Sequence, residues 1–507
     1  MKSALKIAAI ARIFSALLSS SAFAEKLVIL HTNDTHSQLD PTDDDQLGGI
    51  LRRKVVIDSV RAANDNVLLI DAGDVVQGTL YFSIFDGVPE NKFMNALGYD
   101  YRILGNHEFD NGEEKLAQQL ANVDAKLLTT NYDLSESPLK PYFQPYDIKE
   151  IGGKKIGFIA LNLDPKGMIS SQNAKGVKYM DILKAANSTA WHLKHNEGVD
   201  KVIALTHIGY EPSAGIGDVE LAKNSEDIDV IIGGHSHTLI NPDDPNSVAS
   251  TVLNADGKPV LITQVGRIGK YIGEIDIDLD NGKITNKNIL IDKRLDSMID
   301  KDLAADLDKY RVGVDSIMSI KVAKSKVAMP QRSNEQLNFV TDFVRDRGKQ
   351  LADGVDFAMY NKGSLRRGLP KGNITEGMII ETIPFFNNVQ VVDLKGKDVL
   401  DILDVMATTD GNGISSEMDV TYDPATKKVV SALYNGQPID PDKTYRVASI
   451  SYLVEGGDYM TPFTNGKLVA SSKDVIYRDL LNALKTGIYK GKAINPSSTQ
   501  RMRPVTK

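Results

Sequence analysis

The sequence predicts an α/β protein built from two domains. Three observations lead there. A chain of 507 residues exceeds what one ordinary core organises. From Lys26 to about Val230, short apolar runs alternate with helix-like stretches, the order of βαβ units. Beyond about Ala323 the texture changes to mixed helix and strand with frequent Gly and Pro turns, as in Gly368-Leu369-Pro370.

The elements follow in chain order. Residues 1–24 have the outline of an export signal: Lys2 and Lys6 give a positive start, Ile13 to Leu18 is mostly apolar, and Ala22-Phe23-Ala24 fits an A-x-A cleavage site. The mature protein is therefore expected in the periplasm or secreted, after cleavage near Ala24. No other stretch approaches the ~18–20 apolar residues of a membrane span. Cysteine is absent, which excludes disulfides and a cysteine-linked lipid anchor. Strands are expected at Lys26–Leu30, Val67–Asp71, Ile103–Leu104, Lys126–Thr129, Lys155–Ala160, Val202–Leu205 and Val230–Ile232, with helices such as Gly48–Ala63 and Glu113–Ala121 between them. Their order implies a largely parallel, buried sheet whose ligands bind beyond the strand carboxyl ends. Val260–Gln264 and Tyr271–Asp278 complete this part.

Leu295, Ile299, Leu303, Leu307, Tyr310, Val314 and Ile317 recur at steps of four and three, one face of an amphipathic helix. We read residues 295–322 as a linker between a domain at 25–294 and a domain at 323–507, although a core helix of either domain fits the pattern as well. In the second domain Asn334–Lys349 reads as helix, and Val355–Tyr360, Val389–Leu394 and Tyr445–Ile450 read as strands.

Five of the eight histidines fall in four short motifs. In order with a fifth, histidine-free motif, these are Asn33-Asp34-Thr35-His36, Gly73-Asp74, Gly105-Asn106-His107-Glu108-Phe109-Asp110, Thr206-His207 and Gly233-Gly234-His235-Ser236-His237. Each follows an apolar run, and the flanking glycines let the backbone turn sharply beside bulky ligands. Carboxylates, imidazoles and an amide oxygen delivered from several strand ends are the ingredients of a two-metal hydrolytic site. Asp34 and His36 can enter one cleft from a single loop. Asp74 suits a bridging carboxylate, Asn106 a neutral oxygen ligand, and His207, His235 and His237 complete the set. His31 is expected either to support the first motif from behind or to be structural, and His192 and His195 to lie on the surface beside Trp191. The formal charge of −8 lacks the basic excess of a nucleic-acid binder.

This order of motifs resembles the calcineurin-like metallophosphoesterases. The chain as a whole is similar to the 5′-nucleotidases and periplasmic UDP-sugar hydrolases. The resemblance implies a four-layer α/β/β/α first domain followed by a smaller mixed α/β nucleotide-binding domain. It implies one divalent ion on Asp34, His36, Asp74 and His237, and a second on Asp74, Asn106, His207 and His235. Zinc, manganese, cobalt and iron all suit such mixed ligands. His107 and Asp110 would act as a catalytic pair. The family often has Gln or Asn where His237 stands.

A nucleotide needs flat surfaces for its base and cations for its phosphate. The second half supplies both, though singly each residue reads as readily as core or surface. The resemblance makes Asn361 and Arg366, with a further arginine at Arg332, donors of the substrate site, Phe385 and Tyr452 a base sandwich, and Asp458 in Gly456-Gly457-Asp458 the holder of the ribose hydroxyls. Lys362, where the family usually has Gly, and Tyr452, where Phe is common, are departures. Expected activity is hydrolysis of nucleoside 5′-monophosphates, with UDP-sugars and other nucleotide diphosphates as further substrates. The resemblance also implies a large domain rotation between open and closed forms. Alternatives are a 2′,3′-cyclic nucleotide phosphodiesterase or a thiohydrolase of the same architecture, or a non-catalytic periplasmic nucleotide- or metal-binding protein.

Overall fold

The computed structural model describes residues 25–505, apart from 213–214. The export-signal segment at 1–24 lies outside the described residues. Among the described residues, no helix is long and apolar enough to cross a membrane.

Among the described residues, the first half contains two large sheets rather than one, besides a two-stranded pair of Tyr132–Asp133 with Lys178–Tyr179. The first has seven strands, in the order Ile284–Leu290, Tyr271–Asp278, Lys26–Thr32, Val67–Asp71, Tyr101–Arg102, Lys126–Leu128 and Phe143–Gln144. The second has six, in the order Thr251–Leu253, Pro259–Thr263, Val230–Ile232, Lys201–His207, Lys154–Asn162 and Tyr146–Ile151. Lys26–Thr32 runs parallel to Val67–Asp71, and Lys201–His207 runs parallel to both its neighbours. Antiparallel strands sit at the margins, as Tyr271–Asp278 does beside Lys26–Thr32.

Alternation along each strand explains the layers. Leu27, Ile29, Leu68 and Ile70 of the first sheet meet Phe158, Ala160, Ile203 and Leu205 of the second in one shared core. Val28, Leu30 and Leu69 point the other way, onto Ile50 and Ile57 of the helix Ile50–Ala63. Ile159, Val202 and Ala204 face Ala186, Ala190 and Leu193 of the helix Ile182–His195. The result is helix, sheet, sheet, helix. Burial on both faces is why these strands read as continuous apolar runs.

Two expectations are displaced. Ladder pairing covers Tyr101–Arg102, not Ile103–Leu104; the latter pair is buried but extends past the last paired residue of its neighbour. The 295–317 stripe is not one helix. Lys293–Met298 forms a separate 3₁₀ turn, Ile299 is extended, and the helix begins at Lys301, where the Asp300 carboxylate accepts the Asp302 and Leu303 N–H groups. That capping bond holds the chain in a non-helical turn where the apolar period would otherwise run on. The helix Lys301–Met318 bridges both halves: Leu303 and Tyr310 pack on the first core, Ile317 and Met318 on the second, and Val314 on both.

The second half is built on a five-stranded sheet in the order Gly413–Ile414, Phe357–Tyr360, Thr444–Ile450, Asn388–Lys395 and Lys467–Val475. The helices Asn334–Leu351, Gly396–Thr408 and Ile476–Lys485 share its core. The halves also touch directly. Leu80 of the first half is buried in the second core, and Arg367 pairs with Asp43 at 2.7 Å.

Candidate metal centre and substrate cleft

Six of the seven candidate ligands sit on loops beyond strand ends and the seventh, His207, is the last residue of its strand; five of the seven adopt a backbone that few residues tolerate. Asp34, His36, Asp74, His235 and His237 have φ of 49°, 48°, 56°, 75° and 56°. Asp, Asn and His enter this left-handed region more readily than other non-glycine residues. Strain of this kind persists only where the surroundings over-determine it. Here they do. Asp34 N–H donates to Gly73 O at 2.9 Å and His36 N–H to Asp74 O at 3.0 Å, which locks the two ligand loops together. The Glu108 carboxylate accepts three buried backbone N–H groups, from Asp74 at 3.1 Å, Val75 at 2.8 Å and Gly105 at 2.6 Å. Glu108 thus fixes the turn that carries Asp74. It lies within a quoted motif, yet nothing in the sequence marks it as a bracket.

The donor atoms form two groups, Asp34 with His36 and His237, and Asp74 with His207 and His235. Within each, one donor atom per residue lies inside 4.8 Å of the others. His207 Nε2 stands 3.2 Å from Asp74 Oδ2, and His237 Nε2 stands 3.3 Å from Asp34 Oδ1. Donors around a tetrahedral divalent ion are spaced by roughly this amount, about 3.3 Å. His235 Nδ1 and Asn106 Oδ1 are 2.9 Å apart.

Hydrogen bonding shows what these groups lack. His207 is fully buried, and Ala72 O accepts its Nδ1–H at 2.7 Å. That leaves the Nε2 lone pair without a hydrogen-bond partner, directed at a carboxylate. His36 Nε2 and His237 Nε2 face each other at 2.9 Å. A lone pair set against a carboxylate calls for a positive charge between them, whereas the His36–His237 pair can share a single N–H. Protons supply that charge in part: burial opposes it, but Asp74, Asp34 and the Ala72 carbonyl together raise the His207 pKa to about 10. The donor set fits divalent ions better, because two of them satisfy every lone pair at once.

Above the ligands lies a cleft of about 720 Å³ between the halves. Asp74, Asn106, His107, Asp110, His235 and His237 line one wall. Arg332, Asn361, Arg366, Phe385, Tyr452 and Asp458 line the other. Asp34 and His207 lie beneath, outside its lining. All six candidate substrate residues therefore share one cavity with the candidate catalytic pair.

The contacts between the walls are specific. His107 Nδ1 is 3.0 Å from Asp110 Oδ2, and its Nε2 meets the Arg366 guanidinium. Burial works against the His107 imidazolium, but Asp110 and Asp74 outweigh it and raise the pKa. Two cationic donors then oppose each other, and an anionic oxygen between them would accept from both. Phe385 stacks on His107 with centroids 5.6 Å apart, and the Arg366 guanidinium lies 5.2 Å from the Phe385 centroid. Phe385 is thus half-buried against the candidate catalytic pair, while Phe386 is the exposed ring. Tyr452 lies flat on Gly457, where a Cβ would stand 2.5 Å from its ring. Its hydroxyl donates to Asp458 Oδ1 at 2.9 Å, and Asn361 donates to Asp458 Oδ2 at 2.6 Å.

Sequence reading missed the segment Met168 to Asn173, which lines the cleft from the first half. Ser170 donates to Glu455, and Asn173 holds Asp110 O at 3.0 Å. Its composition is that of any polar loop, so it carried no signal. His31 is fully buried against Thr263 at 3.1 Å, and His192 and His195 lie at the surface, each near a carboxylate.

Comparison with known proteins gives a consistent picture. The calcineurin-like phosphoesterase family matches residues 27–239, and the 5′-nucleotidase C-terminal domain matches residues 317–465. A 5′-nucleotidase of Vibrio cholerae is 30% identical over 85% of this chain and 85% of its own length. The trifunctional nucleotide phosphoesterase protein of Bacillus subtilis is 29% identical over 94% of this chain, which spans only 35% of that longer protein. The crystal structure of a 5′-nucleotidase precursor from Thermus thermophilus superposes with a TM-score of 0.82 at 30% identity, covering 95% of this chain and 100% of the other.

Proposed function

Because the chain belongs to the 5′-nucleotidase family, with a metallophosphoesterase domain followed by a 5′-nucleotidase C-terminal domain, we propose that it is an exported phosphohydrolase that converts nucleoside 5′-monophosphates to nucleoside and phosphate. UDP-sugars and other nucleotide diphosphates are secondary substrates in this reading. The observation that carries it is the single cleft in which two buried donor groups face arginines and aromatic rings.

Asp34, His36, Asp74 and His237 would hold one divalent ion, and Asp74, Asn106, His207 and His235 the other. When bound, such a pair lowers the pKa of a coordinated water and neutralises charge on the phosphoryl oxygens. The chain's own residues do the rest. Arg366 and His107 converge on the point where a phosphoryl oxygen would sit, and their donors are directed there before substrate arrives. Asp110 holds the His107 ring through Nδ1 and favours its charged form. Arg332, which is exposed, meets the phosphate from the rim. Tyr452 and Phe385 offer the faces for the base, and Asp458 its carboxylate to the ribose hydroxyls. Because the two walls belong to different halves, turnover requires the halves to close and reopen.

The test is a side-by-side assay of AMP, UDP-glucose and 2′,3′-cyclic AMP by chelated protein with divalent ions added back. AMP is expected to turn over fastest, and His107→Ala and Asp74→Ala to lose that activity. Unchanged rates in both variants would end the proposal. Faster cleavage of the cyclic diester would replace it with the phosphodiesterase reading.

A further inference from the structure

The ligand cluster opens on two sides. Besides the main cleft, a second chamber of about 350 Å³ reaches it. The chamber touches His36 and shares His237 and Arg366 with the cleft. A phosphate monoester carries one organic group, and the cleft alone accommodates that group.

The chamber wall carries a cation with no counterpart. Lys270 is paired with Asp45. Arg267 donates to the Gln331 amide oxygen at 3.4 Å, a long and neutral contact, and among the described residues no carboxylate pairs with it. Arg267 also stands near Arg332 and Arg366. Burial is the main influence lowering both of their pKa values, and repulsion from Arg267 adds to it. Arg267 and Arg366 line the chamber together, while the carboxylates that act on Arg366, namely Asp74, Asp110 and Asp458, line the main cleft and not the chamber. Asp44 is the only carboxylate in the chamber lining, and it lies exposed. Gln77 lines the same space; it is 1% exposed, and its amide oxygen has no partner. A guanidinium fork free of carboxylates is a recognition group for tetrahedral oxyanions.

We propose that this chamber is a second phosphate subsite, in which Arg267 and Arg366 hold an oxyanion beside the ion-binding cluster rather than on it. Gln77 Oε1 accepts the proton of a monoprotonated phosphate there. The shared chemistry is a phosphate group with two possible sources: orthophosphate leaving the centre, or the distal phosphate of a longer chain. The source of the anion rests on the phosphohydrolase reading; its binding does not.

The experiment titrates inorganic phosphate into the full-length, metal-reconstituted protein by calorimetry. About two equivalents are expected to bind to the wild type and about one to Arg267→Gln, with Arg267→Lys binding the second more weakly than wild type because a point charge replaces the fork. One equivalent in the wild type, or two in Arg267→Gln, overturns the proposal. This readout needs no turnover, so a protein inert toward AMP would count against the proposed function while leaving the subsite intact. A second arm compares kcat/KM for ATP and AMP. A fall of about tenfold in that ratio in Arg267→Gln identifies the distal phosphate as the occupant. An unchanged ratio with weakened phosphate inhibition identifies the product.

Discussion

Replacing Gly105 by alanine tests how tightly the centre is built. A Cβ at Gly105 would stand 2.1 Å from Asp74 Oδ1, 2.5 Å from Asp74 N and 2.7 Å from Asp74 Cγ. Gly105 does not have a left-handed backbone, so the conflict is one of space alone. Real Cβ contacts essentially never fall below 3.0 Å, so the Asp74 oxygen must retreat by about 0.9 Å or the Gly105 turn must shift by as much. The turn is pinned, because Gly105 N–H is one of the three donors to Glu108. Ligand distances tolerate only about 0.2 Å, and a misplacement near 1 Å costs roughly 100-fold in rate. Overpacking should also cost about 1–3 kcal/mol of stability. Three measurements decide the matter: ions per chain by elemental analysis after dialysis, kcat on AMP, and a urea melt. We expect fewer than two ions retained, a loss of at least about 100-fold in kcat and a folded but weakened protein. If Gly105→Ala keeps both ions and turns AMP over within about threefold of wild type, the argument that packing sets the Asp74 position is wrong.

Other outcomes follow from the same geometry. Glu108→Gln turns one acceptor oxygen into a donor facing backbone N–H groups, so it should lose about 1–3 kcal/mol and weaken metal retention, seen in melts and equilibrium dialysis. Asp458→Ala should raise KM for AMP by about 10- to 100-fold with little change for p-nitrophenyl phosphate, which has no ribose; equal effects on both would remove Asp458 from sugar recognition. Glu90 is buried and its pKa is raised to about 7 by desolvation. A raised carboxyl contributes stability below its unfolded value near 4.5 that is lost as pH rises through 7. Glu90→Gln should therefore be more stable than wild type at pH 8, by on the order of 2–3 kcal/mol, and the gain should vanish at pH 4.5; urea melts at both pH values report it. Chelation should lower the melting temperature, and adding ions back should restore it, because the ions bind only the folded arrangement.

Much of this was readable in the residues themselves. Val67–Asp71 and Val230–Ile232 were legible as strands because burial on both faces leaves an unbroken apolar run. The candidate ligands stand out in the sequence because each follows such a run at its carboxyl end. The 3₁₀ turn at Lys293–Met298 was not, since a capping carboxylate at Asp300 overrides an apolar period without altering it. The stack of Phe385 on His107 joins two halves, and His107 lies 259 positions before Arg366. No local pattern reports such a pairing. Arg267 was equally silent, because an isolated arginine after a strand looks like any solvated side chain until the other two guanidiniums are seen beside it.

The torsion angles of the ligand loops also limit how this sequence can change. A β-branched residue at position 34, 36, 74, 235 or 237 would crowd its second γ substituent against the backbone before any question of chemistry arose. The replacements that fit are glycine, asparagine, aspartate and histidine, and three of those four can themselves donate electrons to a cation. The substitutions this backbone permits are therefore mostly ones that keep an electron-pair donor in place.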